Sequence, residues 1–171
     1  RSAASVPATN AEEAPGEGNK DPRSKRPKGL GREEGEQVIA LSRSLVNLLR
    51  ADAILSAKLG AFRGHPAVFA SSPVPEPTTT PFIVTHSISD TTLETKNALV
   101  REIDQDIGIY DDQDGSAADV EEIAEYIREK LRSPFDVPDW SMSGLSMSGP
   151  ILNDTEDLHG RILSARIVLG R

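Results

Sequence analysis

The chain has 171 residues, 37% apolar and 4% aromatic, which suits one modest core behind a polar leader and argues against a multidomain machine. It contains no cysteine, which excludes disulfide staples, thiolate zinc sites, iron-sulfur clusters and cysteine nucleophiles together. The formal charge of −8 is uneven: residues 1–35 hold seven Lys/Arg against six Asp/Glu, leaving twelve against twenty-one for residues 36–171, a body that repels phosphate and argues against ordinary duplex binding.

Residues 1–35 are rich in Pro, Gly, Ser, Ala and mixed charge, with Val6 and Leu30 as the sizeable apolar groups. Such a segment buries too little surface to offset chain entropy, so a disordered or partner-ordered arm is expected ahead of a domain over residues 36–171. The basic cluster Lys20, Arg23, Lys25, Arg26 and Lys28, continued by Arg32, is suited to a phosphate backbone or an acidic neighbour, or else to a plain solvated linker. The arm has no signal-peptide apolar run and the chain no long uncharged apolar stretch, so a soluble, intracellular protein without a membrane span is expected. Its first residue is Arg rather than Met, which leaves open an upstream portion that has been removed.

Val38, Leu41, Leu45, Leu48 and Leu49 recur at helical spacing and predict a first helix from about residue 36. Asp52 is placed to cap a short second turn, residues 53–59, with Gly60 as its C-terminal stop. A Val68-Phe69-Ala70 segment leads into residues 71–81, where Pro73, Pro75, Pro77 and Pro81 forbid both helix and central strand. Beyond Pro81, alternation of Phe82, Val84, His86 and Ile88 with Ile83, Thr85, Ser87 and Ser89 predicts a strand. A second strand follows, with Leu99, Ile103, Ile107 and Ile109 on one face and Glu102, Asp104 and Asp106 on the other. One wet face implies an antiparallel sheet.

Residues 111–115 read as a turn, and Ser116 with Asp119 as a capping-box-like start for a helix striped by Val120, Ile123, Ala124, Ile127 and Leu131. Pro134 ends it. Residues 140–148 read as a Ser/Gly/Met strand and residues 159–169 as a last strand with Leu163, Ala165, Ile167 and Leu169 facing in, joined through Asn153, Asp154 and Gly160. The fold class expected is α+β: a mainly antiparallel sheet with an N-terminal helix and one central helix packed on it.

Signs of chemistry are few. The three histidines, His65, His86 and His159, form no metal-ligand spacing. Ser146 and Ser148 are out of register with Gly144 and Gly149 for a nucleophile elbow. Asp112, Asp114, Gly115 and Glu121 mimic part of a calcium loop, but Tyr110 and Ala118 stand where ligands belong. No metal, cofactor or catalysis is expected. The exception is the row Glu102, Asp104 and Asp106: like charges on alternate residues repel unless their face is open to water, so it suits a solvent-filled opening or an ordinary solvated sheet face.

The helix ending in Leu48-Leu49-Arg50-Ala51-Asp52-Ala53, the Val-Phe segment, and the proline loop leading to Pro81-Phe82-Ile83-Val84 form a recognisable series. With a strand ending near Tyr110, a helix over residues 118–131 and a final strand over residues 160–169, the layout resembles the tail-completion or tail-terminator family of long-tailed bacteriophages. The resemblance implies a small α+β virion subunit in a hexameric ring that terminates the tail tube and joins it to the head-proximal connector. Its implied partners are further copies of itself, the tail tube protein and the head-completion or stopper protein. Genomic DNA would pass transiently through the lumen, with no membrane and no reaction involved. Its place would be the tail-neck region of the virion, after assembly in the host cytoplasm. Glu102, Asp104 and Asp106 are then the lumen candidates, because a cationic wall would hold DNA by counterion release. The loop carrying Pro73, Pro75, Pro77 and Pro81 is the candidate inter-subunit or tube-facing contact, since a proline-stiffened loop loses little entropy on docking. The competing readings are another neck or head-completion protein and a small acidic α+β enzyme or regulatory module.

Overall fold

The computed structural model describes residues 30–95 and 97–171, with side chains from residue 40 onward except residue 95. Helix α1 (Leu30–Arg50) buries Leu41, Leu45 and Leu49, one every fourth residue, and leaves Arg43 and Asn47 in water. It begins ahead of the expected residue 36, because Gly31 and Gly35 do not interrupt its backbone. The basic residues Lys20, Arg23, Lys25, Arg26 and Lys28 lie outside the described residues.

Helix α2 (Ala53–Lys58) starts where Asp52 accepts hydrogen bonds from the Ile54 and Leu55 amides, each at 2.9 Å. Gly60 is not the left-handed stop expected of it: the helix ends at Leu59 in extended geometry. What requires glycine there is close approach, since a Cβ on Gly60 would lie 1.9 Å from the Thr79 carbonyl oxygen. The Gly60 amide also donates to the Pro81 carbonyl at 2.7 Å, which pins the exit of the proline loop against the end of α2.

Two short strands, β1 (Ala61–Phe62) and β2 (His65–Pro66), pair across Arg63 and Gly64, both at positive φ as a type I′ turn requires. Strand β3 (Val68–Phe69) runs parallel to the start of β4 (Phe82–Thr95), which turns back into β5 (Ala98–Asp112). Helix α3 (Ala117–Lys130) crosses over to β6 (Ser141–Leu152), and β7 (Leu158–Gly170) returns between β6 and β5. The five-stranded sheet therefore runs β3-β4-β5-β7-β6, antiparallel except at β3. The fold is α+β, with α1 and α3 packed on one face.

That face holds two apolar clusters. One joins Leu45, Leu49 and Leu55 to Ile83, Ile107, Ile109, Leu163 and the α3 stripe Val120, Ile123, Ala124 and Ile127. The other, farther along the strands, joins Leu41 to Ile103, Val137, Ile167 and Leu169. Leu163, Ala165, Ile167 and Leu169 all face in, as the period-two pattern predicts.

Local details differ from the sequence pattern or add to it. Ser116 does precede α3, but its hydroxyl makes no capping bond. In β4 Ile83, Val84 and Thr85 are buried, and Ile88, of the same parity as exposed His86, points to solvent at the irregularity between Ser87 and Ser89. Strands β4 and β6 also run beyond the expected residues 89 and 148, because each keeps its ladder past a bulge.

Candidate functional site

Strand alternation puts Glu102, Asp104 and Asp106 on the face opposite the helices, because Ile103, Gln105 and Ile107 between them are buried. No helix among the described residues packs there. Cross-strand register brings Asp104 opposite Ser89 and Arg166, and Asp106 opposite His86 and Ser164. Arg166 lies 2.9 Å from Asp104 and 3.1 Å from Glu102, bridging two of the three carboxylates. The Ser89 hydroxyl donates to Asp104 at 2.6 Å and the Ser164 hydroxyl to Asp106 at 2.7 Å. These bonds, from Ser89 first and then Arg166, hold the Asp104 carboxyl below the usual carboxylate range, and Asp104 in turn raises Arg166.

The sequence-predicted acidic row is thus real in space but not uniformly negative. Arg166 was the missing element. It has the same parity in β7 as Ser164, opposite to buried Ala165 and Ile167, so alternation gives its face, while its partners depend on the pairing of β5 with β7. A shallow depression of mixed polar and apolar lining forms among Ile88, Asp104, Asp106, Ser146, Met147 and Ser164.

The prolines do not gather into one surface. Pro73 and Pro75 wall a groove against α1 residues Arg43, Val46 and Arg50, with His86 and Ser87 of β4 also lining it. Pro77 is exposed, and Pro81 is half-buried where its carbonyl meets Gly60. An Arg50 amine donates to the Val68 carbonyl, while its Nε is buried with no partner among the described residues.

Two of the calcium-like residues are otherwise occupied. Asp112 accepts from the Thr80 hydroxyl at 2.9 Å, and Glu121 pairs with Arg161 at 2.5 Å. Among the described residues no three His, Cys, Asp or Glu side chains converge as a metal centre would need. His86 is exposed and His159 lies 3.9 Å from Asp154.

Two polar arrangements on the packed face went unread in the sequence. Arg101, 1% exposed, pairs with Asp90 and lies 6.0 Å from the Trp140 ring centroid. Asp52 receives Lys130 at 2.6 Å and the Tyr126 hydroxyl at 3.1 Å, tying α2 to α3. Asp52 and its partners on α3 are distant in sequence, as are Arg101 and Trp140, whereas Asp90 meets Arg101 within the β4–β5 hairpin.

No family model matches the chain, and no curated protein does. Among solved structures, a chain of "Virion of native gene transfer agent (GTA) particle" is similar, with a TM-score of 0.65 at 21% identity. The match covers 79% of this chain and 98% of that one. At that identity the likeness is one of fold.

Proposed function

We propose that this chain is a structural subunit of a phage-like virion, assembling into a ring that terminates a tail tube and joins it to the head-proximal connector. Support comes from the likeness to a chain of a gene transfer agent virion, taken with the order of helix, proline loop, hairpin, helix and hairpin. The observation that carries the reading is the acidic sheet face, over which no helix packs among the described residues. Its carboxylates are held by Ser89, Ser164 and Arg166 in positions that stay wet, so the face suits a water-filled passage better than a packed interface.

In this reading copies tile around a hole with helices outward and the open face inward. Glu102, Asp104 and Asp106 then repel a passing phosphate backbone instead of holding it. The ring is a hexamer, its axial partners are the tail tube protein and the stopper, and the Pro73–Pro75 part of the loop is a contact to one of them or to the next copy. Lys20, Arg23, Lys25, Arg26 and Lys28 serve as contacts to an acidic neighbour or to DNA. The subunit works in the tail-neck region, by geometry and without catalysis.

Negative-stain electron microscopy with light-scattering mass tests this. Closed rings, alone or on added tail tubes, are expected; a monomer that also ignores tubes overturns the reading.

A further inference from the structure

The sheet ends in two different open edges, and their open parts lie at the same level. On one side β3 covers only Ile83 and Val84, so β4 from Thr85 onward pairs with no outer strand among the described residues. On the other side β6 pairs, among the described residues, with β7 alone. Following the ladder across, Ser148 stands level with Ser164, Asp106 and His86, and Ser141 with Gly170, Val100 and Leu93. The run from Ser141 to Ser148 thus matches the open part of β4 in height and length. Beyond it, Ile151 is level with Val84, where β3 already occupies the opposite edge. Pro150, which removes a backbone donor, falls in that covered zone and not in the open one.

Composition points the same way. Strand β6 carries no charged residue over its whole length, in a chain where 27% of residues are charged and copies of net charge −8 repel one another. Long edge strands are ordinarily protected by charge, and this one is protected only at its end. Of the five large apolar side chains more than half exposed among the described residues, two, Ile88 and Leu93, sit on the open part of β4, and two more, Ile151 and Leu152, lie on β6 beyond the matched run. Direction also fits. Strands β4 and β6 run antiparallel to each other within one sheet, so copies placed side by side with the same face inward meet in an antiparallel ladder, the more stable kind.

We infer that the open edge of β6 in one copy pairs with the open edge of β4 in the next, making the contact heterologous and the sheet continuous from subunit to subunit. Such a contact leaves one unused edge at each end of any open assembly, so only closure satisfies every copy. The inference rests on the ring reading and names the surfaces that close it.

The test uses the full chain and two exposed double variants: Ile88→Lys with Leu93→Lys on β4, and Ser146→Lys with Ser148→Lys on β6. Circular dichroism checks that both fold, as exposed positions should. Each alone is expected to stay monomeric, with self-association weakened at least tenfold. Mixed, they are expected to form one-to-one heterodimers and stop there, because one good edge remains on each. Homodimers of the β4 variant would show β6 pairing with β6 and overturn the inference. Oligomers unaffected by either variant would overturn it while leaving the ring intact, as would a β6 variant that assembles normally but loses tail-tube capture. A wild-type chain that never assembles, with or without tubes, would overturn both.

Discussion

Lys130 reaches from the last turn of α3 to within 2.6 Å of the Asp52 carboxylate, which at the same time caps α2. One side chain therefore fixes the start of one helix and the end of another. Burial acts to raise the Asp52 pKa, but Lys130, the Leu55 amide and Tyr126 outweigh it, so the carboxyl sits below its ordinary value. Lys130 is raised by the same contact, while burial, and after it Asp52, raises Tyr126.

Replacing Asp52 by Asn is expected to cost about 2 kcal/mol, combining a weakened cap with a lysine left facing a neutral partner. Because the native pKa is depressed, the stabilisation is complete above the pKa of the unfolded chain and is lost as pH falls through the lower native value. Urea midpoints measured from pH 7 down to 2 should converge for the wild type and Asp52→Asn at the acid end. A gap that stays constant with pH would refute the ion pair as its source.

Arg101 is the most deeply buried charge described, 1% exposed, between its partner Asp90 and the Trp140 ring. Removing the anion takes a buried charge partner from Arg101, so Asp90→Ala is expected to destabilise by about 3 kcal/mol. Arg101→Met, which takes the charge away and keeps the bulk, should cost clearly less, and the double variant should cost less than the two singles together. Chemical denaturation of the four species closes the cycle. Strict additivity would show that the pair contributes no coupling.

Thr85 is fully buried, and its hydroxyl has no partner among the described residues. Valine keeps the branched shape and removes the stranded polar atom, so Thr85→Val is expected to stabilise the fold by about 1 kcal/mol. A lower melting temperature in that variant would mean the hydroxyl is satisfied in solution.

These sites mark where sequence reading succeeds and where it stops. Leu163, Ala165, Ile167 and Leu169 declared their face by parity, and Asp52 its cap by position, because both signals are local. The irregularity between Ser87 and Ser89 shifts the parity of the residues after it, so that Ser89 meets Asp104 on the open face, which no composition announces. Arg101 and Gln105 share parity with Ile103 and Ile107, so their burial was written in the pattern, but a polar side chain on an apolar face is read against type. Arg166 meets Asp104 across a ladder that joins residues 62 positions apart, and the two open edges exist only once strand order is known.

The acidic face gives the sharpest contrast between structural and functional effects. Arg166→Ala removes the cation from Glu102 and Asp104, so the Asp104 pKa should rise toward its ordinary value, readable by carbon NMR titration, with the Ser89 bond keeping part of the depression. In the proposed ring a more negative wall still repels DNA, so particles carrying that variant should deliver genome normally. Converting Glu102, Asp104 and Asp106 together to Lys reverses the sign. The side chains of Glu102 and Asp104 are 39% and 34% exposed and lie away from the helix-covered core, so the fold should survive by circular dichroism while, in the proposed ring, delivery falls at least tenfold through retained DNA. Retention should weaken as salt is raised, since counterion release drives it. Normal delivery by the triple variant would remove these residues from the passage.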